Sequence, residues 1–316
     1  MAMAMALLPY WNISMVAIGM LMAMALPYLM SPSMSPSTLS TPTTPSPSTA
    51  LVPFTLGDLK QKLFPEFHAP HRNFSFPFAT NKTTLNVSIL QQYKANNSGV
   101  GSAVWEGSAV LSAFIARRAT ALFPSQLEGE IVVVEIGAGL GTVSITTSLV
   151  LNKLNRRGRI YVSDGDPSCL VQAQRNIRRH NTSKEVIATT HVVRWGNVLD
   201  IAPFEPSAFV FAADVVFENE EVDEGGGGGL HGANHAFAAL VETFDQLIKH
   251  SNLLLLAYKR RRRREERFFN LMNDKGFYKT NVKRRYLHRR YRDLFEIICF
   301  SKSNLTCGER LGKLVY

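Results

Sequence analysis

Several things are missing from this sequence, and each absence narrows the reading. Cysteine is scarce, with three in 316 residues. Cys169, Cys299 and Cys307 are an odd, scattered set that fits neither a disulfide framework nor zinc-ligand spacing, so a reducing compartment and no metal are expected. Charge is absent from Met1 to Met30, and Leu7 to Leu29 is mostly apolar, long enough to approach a membrane span despite Pro9 and Pro27. No basic segment precedes that run, and neither flank has the Lys or Arg that would orient a span, the first basic residue being Lys60. Residues 1–30 therefore read either as a signal anchor or as an unstructured extension. Residues 31–50 are almost wholly Ser, Pro and Thr, which cannot bury a core and form a linker. The folded domain, with its own N-terminal extension, is expected over 51–316. Sequons at Asn73, Asn81 and Asn86 are patterns short enough to arise by chance.

Excess positive charge is local. The formal net charge is +10, yet between Lys259 and Arg292 there are fifteen Lys or Arg against three acids, so the rest of the chain is nearly neutral. Three readings of this segment compete: a nuclear-import signal, a nucleic-acid-binding patch, or a solvated helix start beside a site.

No internal repeat is present. Instead, short apolar runs alternate with amphipathic stretches, the pattern of a parallel sheet covered by helices on both faces. Leu85 to Leu90 alternates as a short strand, and Ser108 to Ala121 is helical. Strands follow at Ile131–Ile136 and Arg159–Ser163, a third ends over His191–Arg194, and others lie at Ala208–Val216 and Leu253–Tyr258. Helices lie between them at 142–154, 167–180 and 231–250. A helix over 265–275 stops at Gly276, and 277–286 with 294–300 forms a closing hairpin.

Chemistry concentrates at the strand ends. Val134-Glu135-Ile136-Gly137-Ala138-Gly139-Leu140-Gly141 stands between a buried strand and a helix, where glycine allows strained dihedrals and lets a ligand approach helix N-terminal amides. A dinucleotide fingerprint is excluded, because Thr142 occupies the place of its third glycine. At the end of the next strand Asp164 can accept hydrogen bonds from both hydroxyls of a ribose, while Asp166, before Pro167, serves as a helix cap. Trp195 follows the third strand and Trp105 precedes the first helix; either can stack on adenine or simply pack in the core.

Taken in order, Gly101-x-x-Val-Trp105-Glu-Gly-Ser, the acid-x-Gly-x-Gly-x-Gly turn, Ser163-Asp164 with Gln172-x-x-x-Asn176, Arg194-Trp195-Gly196 and Ala213-Asp214-Val-Val-Phe217 resemble methyltransferase family 16, over about residues 85–300. This group comprises seven-strand enzymes that methylate lysines of non-histone proteins. The resemblance implies a class I, Rossmann-like α/β fold and S-adenosylmethionine (SAM) as cofactor. It places cofactor contacts at Trp105, Gly137, Ala138, Gly139, Asp164, Trp195 and Ala213, with Glu135 and Gly141 completing the turn. Asp214 to Phe217 matches the Asp-x-x-Tyr/Phe motif that shapes the lysine channel, with Phe where Tyr is commoner. Asp214 would hold the incoming amine and Phe217 would wall the channel.

The expected function is methyl transfer from SAM to a protein lysine, in the cytosol or nucleus, or from a membrane anchor at 7–29 with the domain on the cytosolic side. Alternatives are methylation of a small molecule or RNA by the same fold, and an inert cofactor-binding module. Against a base substrate stands the lack of an Asn/Asp-Pro-Pro-Tyr/Phe motif. The acids Glu218, Glu220, Glu221, Asp223 and Glu224, ahead of Gly225 to Gly229, form either a lip attracting a basic substrate or a solvated insertion.

Overall fold

A computed structural model describes residues 69–79, 83–91, 100–180, 183–217, 231–248, 252–259, 265–303 and 306–316. They fall in one of the two units into which the chain divides, Thr55–Tyr316. The apolar segment, the linker, the acidic stretch 218–224 and the arginine run 260–264 lie outside the described residues. Among those described, no helix is long and apolar enough to cross a membrane.

An antiparallel hairpin comes first, β1 (His71–Phe78) and β2 (Thr83–Leu90), with Phe76 opposite Leu85 and Phe74 opposite Val87. Alternation works here as it does in any half-buried strand. Phe76, Phe78, Leu85, Val87 and Ile89 face the core, while Asn73, Ser75 and Asn86 face outward. The sequence reading found β2 and missed β1, because Arg72-Asn-Phe-Ser-Phe-Pro-Phe carries a proline and its partner strand is what defines it. Next come α1 (Glu106–Arg117), the short α2 (Ala119–Leu122), β3 (Ile131–Ile136), α3 (Thr142–Lys153), β4 (Gly158–Asp164), α4 (Pro167–His180) and β5 (Val186–Val192). The chain continues with α5 (Val198–Ile201), β6 (Phe209–Ala213), α6 (His231–Leu247), β7 (Leu253–Tyr258), α7 (Glu266–Asp274), β8 (Tyr278–Asn281), β9 (Glu296–Ser301) and α8 (Thr306–Leu311).

Strands β3 to β9 form one seven-stranded sheet in the order β5-β4-β3-β6-β7-β9-β8. Pairing is parallel from β5 to β7 and antiparallel where β9 inserts between β7 and β8. Strands covered on both faces must be apolar throughout, and β3 and β7 are buried at every position. On one face Val133, Leu255 and Ile297 pack with Phe114, Val143 and Ile177 from α1, α3 and α4; on the other, Val134, Leu254 and Ile298 pack with Phe237, Phe244 and Phe268 from α6 and α7. The order reverses at β3 and β6, and in open sheets of this kind ligands gather outside the strand ends at such a point.

One expectation is overturned. Cys299 and Cys307 are joined in a disulfide, with Cα atoms 6.2 Å apart, linking β9 to α8. Chain reversal after Ser301 brings α8 back onto β9, and a spacing of eight residues does not announce that reversal. Cys169 is free and buried, and burial together with Asp164 and Asp166 pushes its thiol up to about 12, which leaves it inert as a nucleophile.

The hairpin is tied to the domain by side chains from α4. Asn176, fully buried, accepts from the Leu90 amide at 2.9 Å and donates to the carbonyls of Leu90 at 3.1 Å and Leu140 at 3.2 Å. His180 accepts from the Ser88 amide at 3.1 Å. Removing Asn176 leaves the Leu90 amide and the Leu140 carbonyl without this partner, while the Leu90 carbonyl keeps Gln172 at 3.3 Å, so Asn176→Ala is expected to cost roughly 2–3 kcal/mol. Thermal unfolding checks the loss, and hydrogen exchange should show the Leu90 amide opening faster while amides of β7 keep their relative protection.

Candidate active site

The turn after β3 is built around two glycines in left-handed conformation. Gly137 has φ +67°, and a Cβ placed there would meet Val215 Cγ1 at 2.5 Å, with Trp195 Cζ2 at 3.8 Å. Gly139 has φ +51°, and its Cβ would come within 3.0 Å of the Gly101 carbonyl oxygen. Any larger residue is strained twice, by its dihedrals and by its neighbours. Three separate segments therefore close on this turn: the 3-10 turn Val100–Ser102, the chain just past β5, and the chain just past β6.

Asp164 completes the arrangement. Its Oδ2 accepts from the Gly139 amide at 2.8 Å and its Oδ1 from the Asp166 amide at 3.0 Å, so the carboxylate at the end of β4 points at the glycine turn. Burial raises its pKa above the ordinary carboxylate range, opposed by these amides. Asp166 performs the capping role expected of it, accepting from the Ser168 amide at 2.8 Å.

Glu135 does something the sequence did not reveal. The residue preceding α3 is Gly141, which has no side chain with which to cap that helix. Glu135 reaches across instead: its Oε2 accepts from the Ser144 amide at 2.8 Å and from the Ser144 hydroxyl. The side chain is only 2% exposed, and burial pushes its carboxyl up to about 8. At neutral pH it therefore keeps its proton and acts as the internal cap of α3, holding the turn from behind.

Asp214 follows β6 with φ +56°, a conformation few residues other than glycine adopt, though Asp tolerates it best among them. Its amide donates to Ala257 O at 3.2 Å, and its Oδ2 accepts from the Gly107 amide at 2.5 Å, in the first turn of α1. A Cβ on Gly107 would lie 2.4 Å from that oxygen. Gly107 is thus required by contact, a role that its place in Trp105-Glu-Gly did not disclose. Trp105 directly precedes α1 and is half-buried; Ala213 ends β6; Ala138 donates to Ser163 O at 2.8 Å. Phe217 is half-buried after Val215 and Val216. Trp195 lies against Gly137 and packs on the second core layer.

A family model described as lysine methyltransferase matches residues 82–224 and 231–275, more than half of the sequence. The chain belongs to methyltransferase family 16. Among solved structures it is similar to precorrin-6y C5,15-methyltransferase from Geobacter metallireducens, with 19% identity over 59% of this chain and 88% of that one, TM-score 0.35. It is also similar to the T. thermophilus 16S rRNA N2 G1207 methyltransferase, solved with AdoMet and guanosine, with 13% identity, 74% and 51% coverage, and TM-score 0.42. A third is human N-acetylserotonin methyltransferase in complex with SAM, with 10% identity, 62% and 55% coverage, and TM-score 0.38. The chain thus spans most of the precorrin enzyme and about half the length of the other two. Comparison with individually curated proteins gives no significant match.

Membership makes SAM the cofactor, and the site fits it. Gly137 and Gly139, each in a left-handed conformation with no Cβ, let Val215 and the Gly101 carbonyl close on the turn, and Asp164 presents a carboxylate beside its Gly139 amide. Gly137, Ala138, Gly139, Asp164 and Trp195 converge here, while Glu135 supports the turn through Ser144 from within the core.

Two outcomes follow. Because the native state holds the Glu135 proton up to about pH 8 while the unfolded chain releases it near 4.5, stability falls as pH rises between those values. Glu135→Gln keeps the acceptor for Ser144 and does not titrate, so its melting temperature should gain on the wild type from pH 5.5 to 8.5. A constant difference across that range refutes the assignment. Gly107→Ala should cost roughly 1–3 kcal/mol by driving Asp214 aside. In an Asp214→Ala background the same change should be nearly neutral, which a double-mutant cycle by thermal unfolding measures.

Proposed function

We propose that this methyltransferase acts on the side-chain amine of a lysine in a non-histone protein. The observation that carries the reading is the position of Asp214. It follows β6 immediately before Val215, whose Cγ1 occupies the space beside Gly137, so an acidic group stands next to the cofactor turn at the sheet's switch point. An acceptor bearing positive charge in solution suits that neighbour; a phosphate does not.

SAM supplies an activated methyl group on a sulfonium. What this chain must do is align the acceptor and keep it unprotonated, since displacement at carbon needs little other machinery. Free lysine has a pKa near 10.4, roughly. Partial removal from water, against Phe217 and the buried Val215 and Val216, disfavours the ammonium. A carboxylate accepts about four hydrogen bonds. Asp214 can therefore cap α1 through Gly107 and orient an amine at the same time. Its backbone amide is held by Ala257 O and its carboxylate by the Gly107 amide, which leaves the carboxylate little freedom to swing.

The location that accompanies this reading is the cytosol or nucleus, resting on cofactor use alone now that Cys299 and Cys307 are paired. A membrane tether through residues 7–29 would require the domain to face the cytosol.

Asp214→Asn keeps an oxygen for the Gly107 amide and removes the charge. SAM affinity by calorimetry should stay within about threefold, while label transfer from radioactive SAM to cell lysate protein should fall at least about 100-fold. Acid hydrolysis of the labelled product should release methylated lysine; label in RNA or in small molecules would refute the proposal, as would joint loss of cofactor binding and transfer.

A further inference from the structure

The connection between β8 and β9 runs along α1 from one end to the other. At the C-terminal end of that helix the Arg118 guanidinium lies 4.4 Å from the Tyr286 ring centroid, and Arg117 is close enough to His288 to act on its charge. At the N-terminal end Lys259 Nζ stands 3.3 Å from Glu106 and 5.4 Å from the Phe295 ring centroid. Glu106 directly precedes Gly107, the partner of Asp214. Twelve helical residues span about 17 Å. The connection is thus a strip of that length leading to the acceptor end of β6.

Its surface is strongly basic. Arg284, Arg285, Arg289, Arg290 and Arg292 are exposed, and only Arg284 pairs with a carboxylate among the described residues, Glu296 at 3.5 Å. Burial, then Arg117, Arg289, Arg290 and Arg292, holds His288 below its ordinary range. Clustered guanidinium groups that, Arg284 apart, have no carboxylate partner among the described residues repel one another, so an anionic occupant relieves a standing cost.

Two classes of polyanion differ in what else they need. Single-stranded nucleic acid gains most of its base contacts from open aromatic faces. Here Tyr286 lies between Arg118 and Arg285, the latter at 5.0 Å, and Tyr291 carries Arg290 at 5.5 Å while its edge meets Phe295. Both rings are already engaged by guanidinium groups, which favours carboxylates paired to arginine forks over stacked bases.

We propose that the β8–β9 connection binds an acidic segment of the protein substrate, lying within about five extended residues of the target lysine. This inference rests on the lysine reading of the acceptor site and refines it: the lysine meets Asp214 while its acidic flank lies along α1.

Fluorescence anisotropy with the full chain tests it without requiring catalysis. The probes are a short peptide with one Lys flanked by Glu, the same peptide with Ser in place of Glu, and an oligouridine of equal length. The acidic peptide should bind at least about tenfold tighter than the Ser peptide at low salt, and this preference should shrink as salt rises. It should vanish in Arg289→Glu/Arg290→Glu and persist in Arg157→Glu, an exposed arginine beside β4. Asp214→Asn should also retain it, so loss of transfer and loss of docking are separate readouts. Equal binding of the two peptides, tighter binding of oligouridine, or a preference unaffected by the double substitution while melting temperature is unchanged, would overturn the proposal.

Discussion

The hydrogen bond from the Gly139 amide to Asp164, at 2.8 Å, ties the glycine turn after β3 to the carboxylate that ends β4. It joins two strands' worth of chain end to end, because β3 and β4 are adjacent and parallel and both deliver their C-terminal turns to the same edge. Parallel pairing alone would bring the turns near each other. The carboxylate makes their separation definite, and its oxygens keep lone pairs with which a ribose hydroxyl could also be met.

Around that contact, two acids, the buried Glu135 and the half-buried Asp214, are used as structural parts. Glu135 caps α3 from inside the core, taking the place of the side chain that Gly141 lacks, and Asp214 caps α1 from the end of β6. Each substitutes a long-range partner for a local one. The benefit is mechanical: the N-termini of α3 and α1 are held by a residue of β3 and by the residue directly after β6. Asn176 extends the scheme outward by binding Leu140 next to the glycine turn and Leu90 in the hairpin. Chemistry and scaffold are therefore one hydrogen-bonded system, and a lesion in the hairpin reaches the cofactor turn through a single side chain.

Much of the fold was legible because the parallel sheet imposes continuous apolar runs, and Ile131–Ile136 and Leu253–Tyr258 match β3 and β7 at both ends. Less was legible at the edges. The third strand was expected to end over His191–Arg194 and lies at Val186–Val192; its start went unread because Ile187 is exposed on an edge strand and the half-polar run Ala-Thr-Thr-His weakens the signal. Strand β1 escaped notice because its pairing, not its own pattern, defines it. For the site, the order of motifs singled out Asp164, the glycines, Glu135, Trp195 and Asp214; that Glu135 accepts from Ser144 and that Gly107 donates to Asp214 came only from the tertiary structure.

Sequence by itself determined the family, the cofactor turn and the identity of the acids, because glycine spacing and strand-end carboxylates are local chemical requirements written in consecutive residues. Tertiary structure decided which acid does what. Whether a carboxyl caps a helix, faces a pocket or keeps its proton depends on the amides and the burial around it, and those neighbours come from segments that may be more than a hundred residues away, as Gly107 is from Asp214. The pairing of Cys299 with Cys307 was decided in the same way, by a chain reversal that only packing reveals.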